Sequence, residues 1–384
     1  MKSNTVLQFL NRSFEPKYTV WVSITISFFV LLLLAFSREN LNLWDFNVYV
    51  TAKNALLESG SPYFERESLR FIYPPSSIPL LYLISDSELY KTLYFSIIGA
   101  LWLSIPVFFS RTIVQWVAAT SIFLFVFGNH GYITLFTGNL APLLYFVAAA
   151  VSLAFWMDKV SISTFVLVIL AISLVKPFYL EFLIFVWFKR DFLSFFLASL
   201  ISTAGFFSIN AVFYPELFSQ FVHALKVDRY DSEIFGITLF SYLTSFGLSS
   251  FIGLFLQLLC IGVLFILFIQ RAPGMTTTQQ FSALFILAVF INPKHISYDL
   301  MVAVPPIVFM LLQSPKRTAL LGFLVLTVVS VFDMGIAKEL YFQWWLGYLG
   351  VLLIVLLSNS LQIRYQDLPR AVIWPANQRS ITKP

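Results

Sequence analysis

The chain reads as an all-α polytopic membrane protein built as one transmembrane domain. Three observations lead there. Of its 384 residues, 59% are hydrophobic and 11% charged, whereas a soluble domain has about 45–50% and about 25%, so the polar residues are too few to coat a surface facing water. The apolar residues, 44 Phe among them, run in long uniform stretches without the period-two alternation of transmembrane strands. Short basic turns separate these stretches, as cytoplasmic turns do in helical membrane proteins.

About 12 spans are expected, taking about 20 apolar residues per crossing and fewer inside a bundle. The first, near 19–36, has no small-residue cleavage site after it, so it is read as a helix and not as a signal peptide. A polar, aromatic loop, 37–89, follows. Within it, 47–59 has an amphipathic pattern: Val48, Ala52, Ala55 and Leu56 cluster, Lys53 and Glu58 sit elsewhere, and Gly60 is a natural C-cap. The apolar stretch 76–85 is too short to span and suits the membrane interface. Spans near 90–109 and 112–128 flank Arg111, and those near 139–157 and 160–175 flank Asp158-Lys159. The segment 177–188 is short and opens on a proline, as a broken or re-entrant helix would. After Lys189-Arg190-Asp191 comes a span near 192–213, then a long loop, 214–248, and a span near 249–269. The short segment 280–291 is a second candidate for a broken helix. Spans near 299–313, 317–332 and 342–358 complete the set, and 359–384 forms a basic tail. Residues 1–358 are thus one domain.

More than half of the 24 Lys and Arg residues fall on one side if the N-terminus is cytoplasmic, mostly in very short turns and in the tails. An even number of crossings returns the basic tail to that side. Loops 37–89, 129–138, 214–248, 292–298 and 333–341 then face outward with most of the acidic residues. The cytoplasmic turns are too short to build a site, so chemistry is expected on the non-cytoplasmic face.

Several function classes drop out. The pI of about 9.1 reflects basic residues spread between spans, which argues against a nucleic-acid partner. The single Cys260 lies mid-span and has no partner for an intrachain disulfide. No Cys/His spacing suggests a metal, and no nucleotide-binding glycine loop is present. A reaction on the outer face would need a donor available there, and a lipid-borne donor meets that need.

Candidate residues follow from position. Asp45 stands between Trp44 and Phe46. Aromatic neighbours would desolvate a carboxylate and favour a general base; the alternative is a solvated interfacial Asp. Lys176 precedes Pro177 at a junction of apolar segments and suits an anionic phosphate; otherwise it snorkels or pairs with Glu181. Residues 292–299, Asn-Pro-Lys-His-Ile-Ser-Tyr-Asp, place Lys294, His295, Tyr298 and Asp299 at a membrane face, where ionisable groups are functional by default. The alternative there is a turn with a capping Asn. Arg70 and Arg66 would either steer a phosphate or pair with Glu65 and Glu67. Asn129-His130 and Gly138-Asn139 bracket a turn. The charged stretch 214–235 reads as a solvated helix, and Asp333 as a plain helix end.

In order along the chain, Asp45-Phe46-Asn47-Val48-Tyr49, Gly60-Ser61-Pro62-Tyr63, Phe71-Ile72-Tyr73-Pro74-Pro75, Gly138-Asn139, Lys176-Pro177 and Asn292-Pro293 with Tyr298-Asp299-Leu300 resemble the motif series of glycosyltransferase family 87. The resemblance spans about residues 45–300, with the first-loop series its most specific part. It departs from the family at Gly-Asn, where Gly-Gln is common, and at Tyr298-Asp299, where some members carry a His pair. It implies a GT-C-like bundle with an external first loop of amphipathic helices, and transfer of a sugar from a polyprenyl-phosphate donor, usually with inversion. No further cofactor and no metal is implied. Asp45 becomes the expected general base. Tyr49, Arg70, Tyr73, Asn139, Lys176, Lys294, His295, Tyr298 and Asp299 become expected substrate-binding residues. The implied partners are a lipid-linked sugar donor, a glycan or glycolipid acceptor and membrane lipid, in the plasma (inner) membrane. The competing reading is a lipid-linked-sugar flippase or transporter, which should show pseudo-symmetric halves and ionisable groups near the midplane.

Overall fold

The computed structural model describes residues 44–63, 71–84, 90, 94, 138–235, 238–292, 301–335 and 342–358. Among these, every regular element is helical. The expected spans near 19–36 and 112–128, and 90–109 apart from the helical Tyr90 and Tyr94, lie outside the described residues, as does the tail.

Helix α1 (Trp44–Ser59) opens with Asp45 in its first turn, where a carboxylate complements the positive end of the helix. It ends at Gly60, whose φ of +76° is the left-handed conformation of a C-cap and whose N–H reaches the Leu56 carbonyl at 3.0 Å. The expected helix is therefore present, three residues longer at its start. A 3-10 turn (Pro75–Ser77) leads into α2 (Ile78–Ile84). Helices α3 (Ala141–Trp156) and α4 (Ile162–Ser173) follow. At 1.5 Å per residue, α4 is about 18 Å long, short of a hydrocarbon layer of about 30 Å.

The reason α4 stops is local. Pro177 disfavours helical backbone at Lys176, and Lys176 is extended, with φ −146° and ψ 109°. The chain resumes as a 3-10 helix (Pro177–Leu183) and then α5 (Ile184–Lys189). This is the broken helix expected at 177–188. Tyr179, Phe182 and Leu183 are buried, so the irregular backbone is covered by protein.

Among the described residues, two helices are long and apolar enough to cross a membrane. They are α6 (Phe192–Phe213) and α9 (Ser250–Arg271), the latter prolonged through Gly274. A core helix of a soluble protein would be mostly covered. Here only 17% and 28% of the two apolar windows are buried, and Val212, Phe213 and Phe251 are each more than two-thirds exposed. Such surface suits lipid contact. Between them, 214–248 is more ordered than the expected loop. It contains α7 (Pro215–Phe235) and α8 (Leu239–Ser245). The solvated helix expected at 214–235 is present, but one side is covered: Phe221 is 3% exposed and its ring lies 6.1 Å from that of Tyr63.

The core is α10 (Thr277–Ile291), buried at every position from Ser282 to Phe290. A helix that is apolar all round belongs at the centre of a bundle. Helix α11 (Val304–Leu312) packs against it, shorter than the expected span 299–313 and preceded by a 3-10 turn (Met301–Ala303). The antiparallel pair α12 (Lys316–Gly335) and α13 (Phe342–Ser358) closes the described part.

The described turns sort to two ends. At one end, Lys189 Nζ donates to the Trp156 carbonyl at 2.8 Å and meets the Asp158 carboxylate at 2.7 Å. Gln279 there reaches the Gln313 carbonyl, and the Phe188 and Phe268 rings, 5.3 Å apart, join the two pairs of turns. At the other end stand the turns at 73–77, 138–141, 174–177 and 210–215, linked by hydrogen bonds. The described short turns expected on the cytoplasmic face thus share one end, and the described motif-bearing turns share the opposite end.

Candidate functional site

The motif-bearing end is organised by phenols. Asp45 and Tyr49 lie one helical turn apart on α1 and so share a face. Asp45 is half-buried and Tyr49 is 2% exposed. Tyr49 Oη lies 2.7 Å from Tyr73 Oη, and Leu140 N–H donates to Tyr49 Oη at 3.3 Å. Tyr73 Oη in turn donates to Asn139 Oδ1 at 3.3 Å. The Asn139 oxygen is identified by its second partner, Ala141 N–H at 2.7 Å, because only an acceptor can take both. With the Tyr73 proton given to Asn139, the proton shared between the phenols comes from Tyr49. The chain therefore runs from Leu140 N–H through Tyr49 and Tyr73 to Asn139.

Local sequence explains why the turn at 138–141 can serve as this hub. Gly138 has φ +67°, a backbone region costly for any residue with a Cβ. Its carbonyl accepts from Tyr90 Oη at 2.8 Å. Tyr90 stacks on Phe46, with ring centroids 5.5 Å apart, so the aromatic residue after Asp45 also docks on this turn. Tyr63 Oη donates to the Tyr73 carbonyl at 2.7 Å, which ties the Gly-Ser-Pro-Tyr segment to the Tyr-Pro-Pro segment.

The Lys176 turn joins the same network on two sides. Tyr179, in the 3-10 helix after Pro177, donates Oη to the Ala141 carbonyl at 2.9 Å. Ser76 Oγ hydrogen-bonds the Leu174 carbonyl, at the end of α4. Lys176 is half-buried, and its Nζ lies 5.7 Å from the centroid of the Phe178 ring.

Electrostatics follow from burial. Desolvation raises the Tyr49 phenol well above its ordinary range, and Tyr73 and the Asp45 carboxylate raise it further. Tyr49 is therefore a neutral donor at any physiological pH. Burial likewise raises Tyr63. A carboxylate beside neutral phenols, partly shielded from water, can accept a proton from a hydroxyl brought against it. Among the described residues, no group of three His, Cys, Asp or Glu side chains is placed to hold a metal ion.

Of the expected site residues, the structure brings Asp45, Tyr49, Tyr73 and Asn139 together and links Lys176 to them through Tyr179 and Ser76. Arg70, Lys294, His295, Tyr298 and Asp299 lie outside the described residues, as do Arg66 and Asn129-His130. Motif reading missed Tyr90, Tyr179, Ser76, Asn210 and Gln257. The last two had a signal: each is a carboxamide within a long apolar helix, a position where polar groups are expensive. Both are fully buried and both bond backbone from another segment. Comparison with protein-family models, with curated proteins and with solved structures found no match.

Proposed function

We propose that this chain is a membrane glycosyltransferase of about 12 spans. It moves a hexose or pentose from a polyprenyl-phosphate sugar to a lipid-linked or surface glycan on the non-cytoplasmic face of the plasma (inner) membrane, with inversion. The observation that carries the reading is the junction at Tyr49. One turn from the half-buried Asp45, its phenol joins the Tyr-Pro-Pro and Gly-Asn segments, and Tyr179 brings in the Lys-Pro segment. Four motifs that resemble one family's series thus meet at one end of the bundle.

In the proposed reaction Asp45 takes the proton of an acceptor hydroxyl. The oxygen attacks the anomeric carbon, the bond from that carbon to the phosphate oxygen breaks, and polyprenyl phosphate leaves with the electron pair. Lys176, with Arg70 and Lys294 or His295, stabilises the leaving phosphate, as preorganised cations do for developing charge. Tyr49, Tyr73 and Asn139 hold α1 against the bundle, so that Asp45 faces the acceptor at a set position. Reactions of this kind depend on placement within about 1 Å.

The test is sugar transfer by purified protein in lipid, with a panel of polyprenyl-phosphate sugars and a radiolabelled sugar moiety. The wild type should form a new glycosidic product, and Asp45→Asn should lose about 10²–10⁴-fold in rate, the range for a general base, with an unchanged melting temperature. Undiminished turnover by Asp45→Asn would remove Asp45 as the base. Passage of the labelled lipid across a vesicle membrane without bond formation would make the protein a flippase.

A further inference from the structure

We infer that Ser76 and Asn210 are positioning residues that set Lys176 for the phosphate of a lipid-borne donor, an inference that rests on the reading above. Asn210 lies in the last turn of α6, one of two membrane-length helices among the described residues, and is fully buried. A carboxamide removed from water is costly unless its groups are bonded. Both are: Nδ2 donates to the Phe206 carbonyl at 2.9 Å, and Oδ1 accepts the Ser76 N–H at 2.9 Å. The Phe206 bond stays within the helix, so the oxygen is what reaches out, across 134 residues of sequence.

Its partner is held rigidly. Ser76 follows Pro74 and Pro75 in a 3-10 turn closed by Ser77 N–H on the Pro74 carbonyl at 2.9 Å. Two prolines fix two backbone angles, so an anchor at the Ser76 N–H orients the whole turn. Ser76 then extends Oγ to the Leu174 carbonyl. The last carbonyls of a helix lack intrahelical partners, and this one lies two residues before Lys176. The Lys176 N–H itself returns to the Ile172 carbonyl at 3.1 Å. Pro177 forces Lys176 into the extended conformation, and the Ser76 bond sets where that extension starts. The same turn begins at Tyr73, which bonds Tyr49 and Asn139. One rigid tripeptide thus registers the Lys176 turn against the helix that carries Asp45. A brace that only held the fold together would not need to end beside the one cation of the Lys-Pro motif.

The experiment measures binding of polyprenyl phosphate, and of the matching polyprenyl alcohol, to full-length protein in nanodiscs. Variants are Ser76→Ala, Asn210→Leu, Lys176→Met and the doubles with Lys176→Met. The wild type should bind the phosphate more tightly than the alcohol. Ser76→Ala should weaken phosphate binding about fivefold to tenfold, the size of one buried hydrogen bond, and leave alcohol binding unchanged. In the Lys176→Met background the same substitution should cost less than about twofold, because residues acting through one another are not additive. Should Asn210→Leu unfold the protein, Ser76→Ala alone carries the test, since it keeps the backbone N–H that Asn210 binds. An equal loss from Ser76→Ala with and without Lys176, or an equal loss for phosphate and alcohol, overturns the positioning role and leaves the transferase reading standing. Failure of the wild type to prefer the phosphate overturns both.

Discussion

The phenol oxygens of Tyr49 and Tyr73 lie 2.7 Å apart, in a contact that is buried and bridges 24 residues of sequence. Each phenol has a further partner in the 139–140 turn, so the pair is the fastener between α1 and the bundle. Tyr49→Phe would strand the Leu140 N–H, and Tyr73→Phe would strand the Tyr49 proton. Each should cost about 1–3 kcal/mol, the penalty for a buried polar group left unbonded. The double variant should cost less than the sum. Thermal unfolding of the four proteins in one lipid system gives the coupling, and strict additivity would mean that the two hydroxyls are held independently.

Alkaline pH should release this fastener. The folded Tyr49 phenol titrates above the ordinary tyrosine value of 10.0, whereas in the unfolded chain it titrates near that value. The folded state therefore keeps a proton that the unfolded state loses. Stability from this group is complete below pH about 10 and falls as pH rises beyond it. Tyrosinate absorbance at 295 nm from Tyr49, taken as wild type minus Tyr49→Phe, should rise together with loss of helical circular dichroism. A rise near pH 10 with full helicity retained would show that the phenol is open to water.

Gly138→Ala should be damaging, because the position is buried and its backbone is left-handed. The φ of +67° costs a residue with a Cβ about 1–2 kcal/mol, and relief of that strain would turn the Asn139 side chain and the Gly138 carbonyl away from Tyr73 and Tyr90. The expected result is a lower melting temperature together with lower sugar-transfer activity. Gly138→Asn, which tolerates left-handed backbone better, should lie between wild type and Ala. Equal stability of all three proteins would contradict the assigned strain.

Gln257 offers a test at the neighbouring turn. Fully buried in α9, it accepts the Phe240 N–H at 2.9 Å and donates Nε2 to the Asn292 carbonyl at 3.1 Å. Gln257→Leu would leave a backbone donor and a backbone acceptor without this partner, at about 1–3 kcal/mol each. Gln257→Glu keeps the acceptor but puts a carboxylate against the Asn292 carbonyl. Both variants should unfold at lower temperature than wild type, with Glu recovering partly at acid pH as its carboxyl regains a proton and can donate. A pH-independent deficit in the Glu variant would argue against the assigned bond to Asn292.

Composition pointed to a membrane protein, because too few polar residues remain to coat a water-facing surface, and two described helices are long and apolar enough to cross a membrane. Residue order was enough to place α1 with its Gly60 cap, the membrane-length helix 192–213, a helix over 342–358 and the break at Lys176. Each of these depends on local chemistry: apolar run length, a glycine free to take positive φ, a proline acting on its predecessor. Helix content was underread in 214–248, where charge suggested a loop or a solvated helix and the buried side of Phe221 left no periodic signal strong enough to read. Asp45, Tyr49, Tyr73 and Asn139 were each legible as candidates from their motifs.

Their assembly was not legible. The Tyr73–Asn139 bond spans 66 residues and the Ser76–Asn210 bond 134, and no local period encodes which turn meets which. Asn210 and Gln257 read as isolated polar residues in apolar helices until packing supplied their backbone partners. Local propensity and hydropathy are properties of neighbours in sequence, so the sequence by itself determined the helical, apolar character of the chain and the positions of α1, α6 and the break at Lys176. Only the tertiary structure decided that a phenol on α1, a proline-stiffened turn, a glycine-hinged turn and a broken helix meet around Tyr49 and the 138–141 turn, because burying their polar groups demands partners that only the packed bundle supplies.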